Sequence, residues 1–251
     1  MEDELEIDNG INLDNLYEGQ QSQLILIVAK SGRGKSTSMI NLNPETTFLI
    51  NIMGKALPFP KGMKYRTGKN MLISTSTPVI CAKLQEISNK QPEIKTVVID
   101  DAQYLMATEF MATAMVKGYE KFTKMARNFW DVLFLSTKLR GDLKVFMLAH
   151  EEETFTGERK MKTLGKMLDD KITPEGMSSM VLYGEIRVKD NRNKYMFVTQ
   201  SDGSTNAKTP MGMFPIEIDN DLELVCKRTD EYYNGVELKD SKLAFLTQTL
   251  A

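Results

Sequence analysis

Cysteine is nearly absent from this chain: Cys81 and Cys226 are its only two, far apart and in no metal-ligand spacing. That excludes a disulfide framework and a cysteine-bound zinc module, and the pair reads as reduced, inert core thiols in a cytosol-like compartment. Excess positive charge is missing as well. The 32 basic residues are outnumbered by 34 acidic ones, so bulk attraction to nucleic acid is excluded and any polyanion contact must be local. Long apolar runs are lacking: Leu24 to Ala29, the longest near the front, is far too short to cross a bilayer, and the opening MEDELEIDNG is acidic where a signal peptide is basic. The expectation is a soluble, cytoplasmic protein with no membrane partner. Repeats and low-complexity tracts are also absent.

What is present is the composition of an ordinary globular chain, 41% hydrophobic and 26% charged over 251 residues, enough for one good core. The 17 methionines read mostly as flexible core filler. Trp130 reads as ordinary helix packing. Residues 1–20, rich in Asp, Asn and Gly, read as an acidic extension, 21–225 as the folded domain, and 226–251 as a C-terminal extension.

Within that domain, short aliphatic runs alternate with longer helical patterns. Strands are expected at Leu24 to Val28, Thr47 to Ile52, Thr96 to Ile99 and Leu143 to Ala149. Helices are expected at Lys35 to Leu42, from the N-cap Thr77 with Pro78 to Asn89, and over Met106 to Lys138 with a break near Gly118. Strands written as unbroken aliphatic runs and separated by helices imply a parallel sheet covered on both faces, hence an α/β fold. Glu151 to Gly176 reads as a polar, basic loop region. Met180 to Lys189 and Lys194 to Thr199, joined through Asp190 to Asn193, read as an appended β-hairpin.

The stretch IVAKSGRGKST, from Ile27 to Thr37, matches the phosphate-loop pattern G-x-x-x-x-G-K-[ST] except that Ala29 stands at its first glycine. Gly32 and Gly34 let backbone N–H groups turn toward phosphate oxygens, with Ser31 and Arg33 in the same loop. Lys35 can reach the β and γ phosphates, Ser36 can ligate Mg²⁺ at a helix N-terminus, and Thr37 can touch the α phosphate. Its place between an aliphatic strand and a helix is the context that such a loop requires. The other reading is a plain strand-to-helix turn.

A magnesium nucleotide site also needs a carboxylate at a neighbouring strand tip. Val97-Val98-Ile99-Asp100-Asp101 supplies it: Asp100 for the Mg²⁺ shell and Asp101 for orienting or deprotonating the attacking water, although either could merely cap the following helix. The next strand ends in His150, the only histidine, placed to sense the γ phosphate, and Glu151 is a second candidate base. No [NT]-K-x-D guanine-reading tetrapeptide is present, since Asn89-Lys90, Thr137-Lys138 and Asn193-Lys194 lack the aspartate, so ATP is favoured over GTP.

This order of parts resembles the RecA-like branch of P-loop ATPases; the AAA+ branch would carry a helical lid after its core. More narrowly, LINIMGKALPFP (Leu49 to Pro60), VVIDDAQYLM (Val97 to Met106), MLAHEE (Met147 to Glu152), KTLGKMLDDKITPEGM (Lys162 to Met177) and NAKTPMGMF (Asn206 to Phe214) resemble bacteriophage nucleotide-binding proteins of single-strand annealing and recombination. The resemblance implies a RecA-like P-loop fold and ATP hydrolysis with ATP and Mg²⁺. It further implies coupling to single-stranded DNA, a homo-oligomeric ring or filament, a single-strand-binding protein as a further partner, and the cytoplasm of an infected bacterial host. RecA-like enzymes place their catalytic glutamate after an earlier strand, where this chain has Asn51-Ile52-Met53-Gly54-Lys55 and no acid.

Oligomeric ATPases of this kind commonly complete the site with a cation from the neighbouring subunit. Lys208, Arg159 and Arg187 are the candidates, Lys208 foremost because it follows the hairpin in a loop. The segment Glu158 to Lys171 offers Lys160, Lys162 and Lys166 for DNA phosphates. The competing reading is a solvated loop, and with it a nucleotide-dependent switch, scaffold or helicase loader that recruits proteins without touching DNA.

Overall fold

The computed structural model describes residues 21–165 and 167–236. Strand β1 (Gln23–Val28) is the pattern-expected aliphatic run, and Leu24 to Val28 are all buried. Parallel to it lie β5 (Lys144–Ala149) on one side and the start of β8 (Met180–Lys189) on the other. Beyond β5 come β4 (Thr96–Asp100), β2 (Thr47–Asn51) and the short β3 (Met71–Leu72), all parallel. On the far edge β9 (Arg192–Val198) pairs antiparallel with β8, and β10 (Glu217–Asp219) with β9. The eight-stranded order is therefore β10-β9-β8-β1-β5-β4-β2-β3. This is the expected α/β layout: a mainly parallel sheet flanked by helices, with an appended hairpin, and with β5 interposed between the phosphate-loop strand and the Asp100 strand.

Helices α1 (Thr77–Lys90), α2 (Gln103–Ala112) and α3 (Glu120–Ser136) cover one face. Ile80, Leu84, Ile87, Phe129, Val132 and Leu133 pack there on Leu24, Leu26, Val97, Ile99 and Val145. The break between α2 and α3 holds Gly118 at φ 100°, a conformation that only glycine adopts readily. The other face buries Ile25, Ile27, Val98, Phe146 and Leu148 under Met39, Phe214, Leu222 and Val225. Truncating such a wholly buried strand residue, for example Leu26→Ala, costs about 2–5 kcal/mol.

Several local expectations are corrected. The helix expected over Lys35 to Leu42 is present but shorter, a 3-10 helix over Ser36–Asn41. Ser38 explains the tightening: its N–H is shared between the Gly34 and Lys35 carbonyls and its hydroxyl donates to the Lys35 carbonyl at 2.5 Å. Thr77 is the first helical residue of α1, and Ser76 holds the cap position. The supposed loop from Glu151 contains a small antiparallel sheet, β6 (Glu151–Glu153) with β7 (Arg159–Met161), then a π-turn at Leu168–Ile172 and the four-residue α4 (Pro174–Met177). The β8–β9 turn is tighter than expected, with Asp190 and Asn191 at φ 50° and 56° as its central pair. Finally, the boundary expected at residue 225 falls inside α5 (Leu222–Tyr233), which buries Leu222, Val225, Cys226 and Thr229.

Both cysteines are free and buried, and burial pushes both thiols up to about 12. The methionines divide: Met39, Met125, Met147 and Met180 are core, while Met63, Met111 and Met115 are exposed. Among the described residues no helix is long and apolar enough to cross a membrane. The parts that bear on chemistry, the ends of β1, β2, β4 and β5, all lie at the C-terminal edge of the parallel sheet, where ligands collect in open α/β folds.

Candidate nucleotide site

The loop leaving β1 turns on two glycines, Gly32 at φ 77° and Gly34 at φ 81°. Side chains resist that backbone, and at Gly34 a Cβ would also stand 3.0 Å from Tyr195 Cδ1 and 3.1 Å from Asn220 Oδ1. Ala29, at the pattern's first glycine, lies at the end of the buried strand and needs no such freedom. Its methyl is accommodated by the adjacent strand, where Gly184 stands so close that a Cβ there would meet that of Ala29 at 2.8 Å.

Lys35 is buried, and its ammonium donates to the Ala29 carbonyl at 2.7 Å and the Lys30 carbonyl at 3.1 Å. Burial lowers its pKa to about 8, partly offset by Asp101, Asp100 and Glu151. Ser36 donates from Oγ to Asp100 Oδ1 at 3.1 Å, which brings the two predicted metal ligands together. Burial, reinforced by the neighbouring Asp101 charge, raises Asp100 to about 6 against the opposing pull of Ser36, Lys35 and Lys55. One hydroxyl and one carboxylate at that separation fit a magnesium ion, which keeps waters and takes its remaining ligands from substrate phosphates. Ser36 and Asp100 would hold it, and when bound it supplies charge neutralisation across the β and γ phosphates.

Asp101 occupies the left-handed region at φ 64°. Its carboxylate accepts a hydrogen bond from Lys55 Nζ at 2.6 Å and faces His150 Nε2 at 3.7 Å. Burial alone would raise it, but these two partners outweigh that and hold it at about 2. The His150 ring is half-buried and packs edge-on against Tyr104, centroids 6.2 Å apart.

Ser31, Gly32, Gly34, Lys35, Ser36, Thr37, Asp100, Asp101 and His150, all singled out from sequence, line one cleft. Four residues that sequence reasoning missed join them, Lys55, Ala56, Pro58 and Tyr195. Lys55 follows β2 at the position where RecA-like enzymes would carry an acid, and Tyr195 comes from the hairpin strand β9. Lys55 was legible as the only charged group of that stretch; nothing local marked Tyr195, whose contact depends on the β8–β9 register.

Other candidates lie elsewhere. Arg33 turns its guanidinium to Glu185 at 2.8 Å, so only its backbone belongs to the loop. Glu151, the second candidate base, has a fully buried side chain that lines an adjoining cavity with Gln103, Tyr104 and Lys162, not the phosphate cleft. His150 borders both spaces, since it also lines the cavity that holds Glu151. Arg159, a trans-finger candidate, is engaged within its own chain by Glu185 and, at 3.7 Å, Glu151. Arg187 donates to Glu217 at 2.9 Å. Lys208 is exposed, on a loop whose backbone bonds to Val181 in both directions. Lys160 pairs with Glu152 at 3.4 Å, Lys162 donates its N–H to the His150 carbonyl at 2.8 Å, and Lys166 lies outside the described residues.

A family model described as AAA domain matches residues 21–211. After β8 the described residues continue as β9, β10 and the helix α5. Of solved structures, the chain is similar to the KaiC-like protein of the hyperthermophilic archaeon Pyrococcus horikoshii OT3, over 77% of this chain and 87% of that one, with TM-score 0.45 and 12% identity. No curated protein matches it.

Proposed function

The chain belongs to the AAA domain family, and from that premise we propose that it is a magnesium-dependent ATPase coupled to single-stranded DNA, acting in phage recombination, annealing or replication. The observation that carries the nucleotide part is the convergence of the Gly32–Gly34 loop, buried Lys35 and the Ser36–Asp100 contact at 3.1 Å in one cleft. Backbone amides and Lys35 take the phosphates, while Ser36 and Asp100 orient the metal. Asp101 takes the proton of the attacking water. As the new bond from water oxygen to the γ phosphorus forms, the bond from that phosphorus to the β-phosphate oxygen breaks. Its electron pair stays on the leaving oxygen, giving ADP and phosphate.

The DNA part rests on Lys160 and Lys162 at and beyond β7. Lys162 is one hydrogen bond from the His150 carbonyl, and His150 faces Asp101. A phosphate backbone gripped there would reach the γ-phosphate end of the cleft through two contacts. An oligomer in which exposed Lys208 meets a neighbour's nucleotide fits the same reading.

The Lys55–Asp101 bond favours a second reading, a slow nucleotide-dependent switch, scaffold or helicase loader, because it occupies the base. Phosphate release with and without single-stranded DNA separates the two. Stimulation by DNA that vanishes in Lys35→Ala supports the coupled ATPase; turnover indifferent to DNA, with no DNA retention at low salt, overturns the coupling.

A further inference from the structure

Lys55 has a position that neither a phosphate loop nor an acidic strand tip requires. Its backbone is fixed: Gly54 turns at φ 63° with its N–H on the Asn51 carbonyl, and buried Asn51 donates from Nδ2 to the Lys55 carbonyl at 2.8 Å. Its side chain is otherwise held lightly, more than half exposed, with the ammonium on Asp101 Oδ2 and 5.1 Å from the Tyr104 ring centroid. The cleft that Lys55 lines is the one containing the glycine loop, Lys35 and Asp100.

A fixed root and a half-exposed ammonium beside a phosphate cleft can form a transferable charge. A lysine is a compact point charge on a flexible four-carbon stem, suited to exchanging one oxygen partner for another. A triphosphate offers it a more highly charged anion than a single carboxylate, in a site where water is partly excluded.

We propose that Lys55 is a cis-acting cation for the terminal phosphate: its ammonium rests on Asp101, transfers to the γ phosphate when a nucleoside triphosphate fills the cleft, and so frees Asp101 to accept the proton of the attacking water. This rests on the ATPase reading and deepens it. A diphosphate has no γ oxygen to draw Lys55 away, so Asp101 stays occupied and the base is exposed only with a triphosphate bound. Charge stabilisation of the transferring phosphoryl group is then supplied within the chain at the position where an acid is missing.

The test compares the full-length natural protein with Lys55→Ala and Lys55→Arg, measuring steady-state phosphate release and, separately, the affinities for a non-hydrolysable ATP analogue and for ADP. Lys55→Ala is expected to lower kcat by about 100-fold or more, in line with removal of a transition-state cation, and to lose most of the preference for the triphosphate analogue over ADP. Lys55→Arg, which keeps the charge, is expected to restore part of both. A merely structural lysine would leave the analogue-to-ADP ratio unchanged. Lys55→Ala turning over within about threefold of the natural protein, or faster, with an unchanged ratio, overturns this assignment alone. Absence of both turnover and nucleotide binding in the natural protein overturns the ATPase reading and the assignment with it.

Discussion

Ala29 and Gly184 share one space: a Cβ built on Gly184 would lie 2.8 Å from that of Ala29 and 3.2 Å from the Arg33 carbonyl oxygen. The glycine missing from the start of the phosphate loop is matched by one on the neighbouring strand. The loop can therefore carry a methyl group at its root and still lie flat against β8.

Gly184→Ala should accordingly displace the loop. We expect destabilisation of about 1–3 kcal/mol from overpacking, together with weaker Mg-ATP binding, whereas Ala29→Gly should leave binding within about threefold. Denaturant unfolding and calorimetric titration of each variant check this. A Gly184→Ala protein with normal affinity would contradict the packing account.

Asp100→Asn should keep the fold while losing magnesium-dependent hydrolysis, because the amide removes the charge and leaves the Ser36 partner in place. Circular dichroism and phosphate release measured across a magnesium series provide the check. Unaltered turnover would remove Asp100 from the metal site.

Mg-nucleotide binding should have a pH window. Asp100 must be ionised to hold the metal, and its raised value of about 6 means that affinity increases as pH rises through that point. Lys35 must be protonated to hold phosphate, and its lowered value of about 8 means that affinity falls as pH rises above it. For the ligand-free fold the sign at Asp100 is reversed: a carboxylate raised from 3.8 favours the folded state protonated, so its contribution to stability declines between pH 4 and 6. Titrations from pH 5 to 9 should show tightest binding between about 6 and 8, and the acid limb should disappear in Asp100→Asn. A flat profile would contradict the assigned charges.

Much of the fold, and the gathering of the candidate site residues in one cleft, was legible in the sequence. The buried strands announced themselves because residues packed on both faces must all be apolar, and Gly32, Gly34, Lys35, Ser36, Asp100 and His150 are set by strand ends that a parallel register brings to one edge. Long-range geometry was not legible. Arg33 has the look of a phosphate ligand in sequence, but Glu185, on β8, claims its guanidinium, and Glu151 has the look of a base, but its buried side chain lines the adjoining cavity. The strand pair β6–β7 was hidden by composition, since EEE and RKM carry no apolar alternation and pair through opposite charges such as Lys160 and Glu152. The 3-10 form was hidden because it depends on local hydrogen bonds, such as that from the Ser38 hydroxyl to the Lys35 carbonyl, that apolar periodicity does not report.

Replacing Lys160, Lys162 and Lys166 together by Ser should flatten the salt dependence of single-stranded DNA binding, by about 0.7 in slope for each DNA phosphate that is no longer neutralised. Filter retention across a salt series reads it directly. An identical slope would exclude this segment as the DNA-binding element.

The central claim is that the glycine loop, Lys35 and the Ser36–Asp100 pair form one magnesium-nucleotide site. Calorimetric titration of the natural chain and Lys35→Ala with ATP and magnesium tests it most directly. Saturable heat from the natural chain, lost in Lys35→Ala and reduced without magnesium, is the predicted result. No heat from the natural chain with any nucleoside triphosphate and magnesium, or equal heat from both proteins, would contradict it.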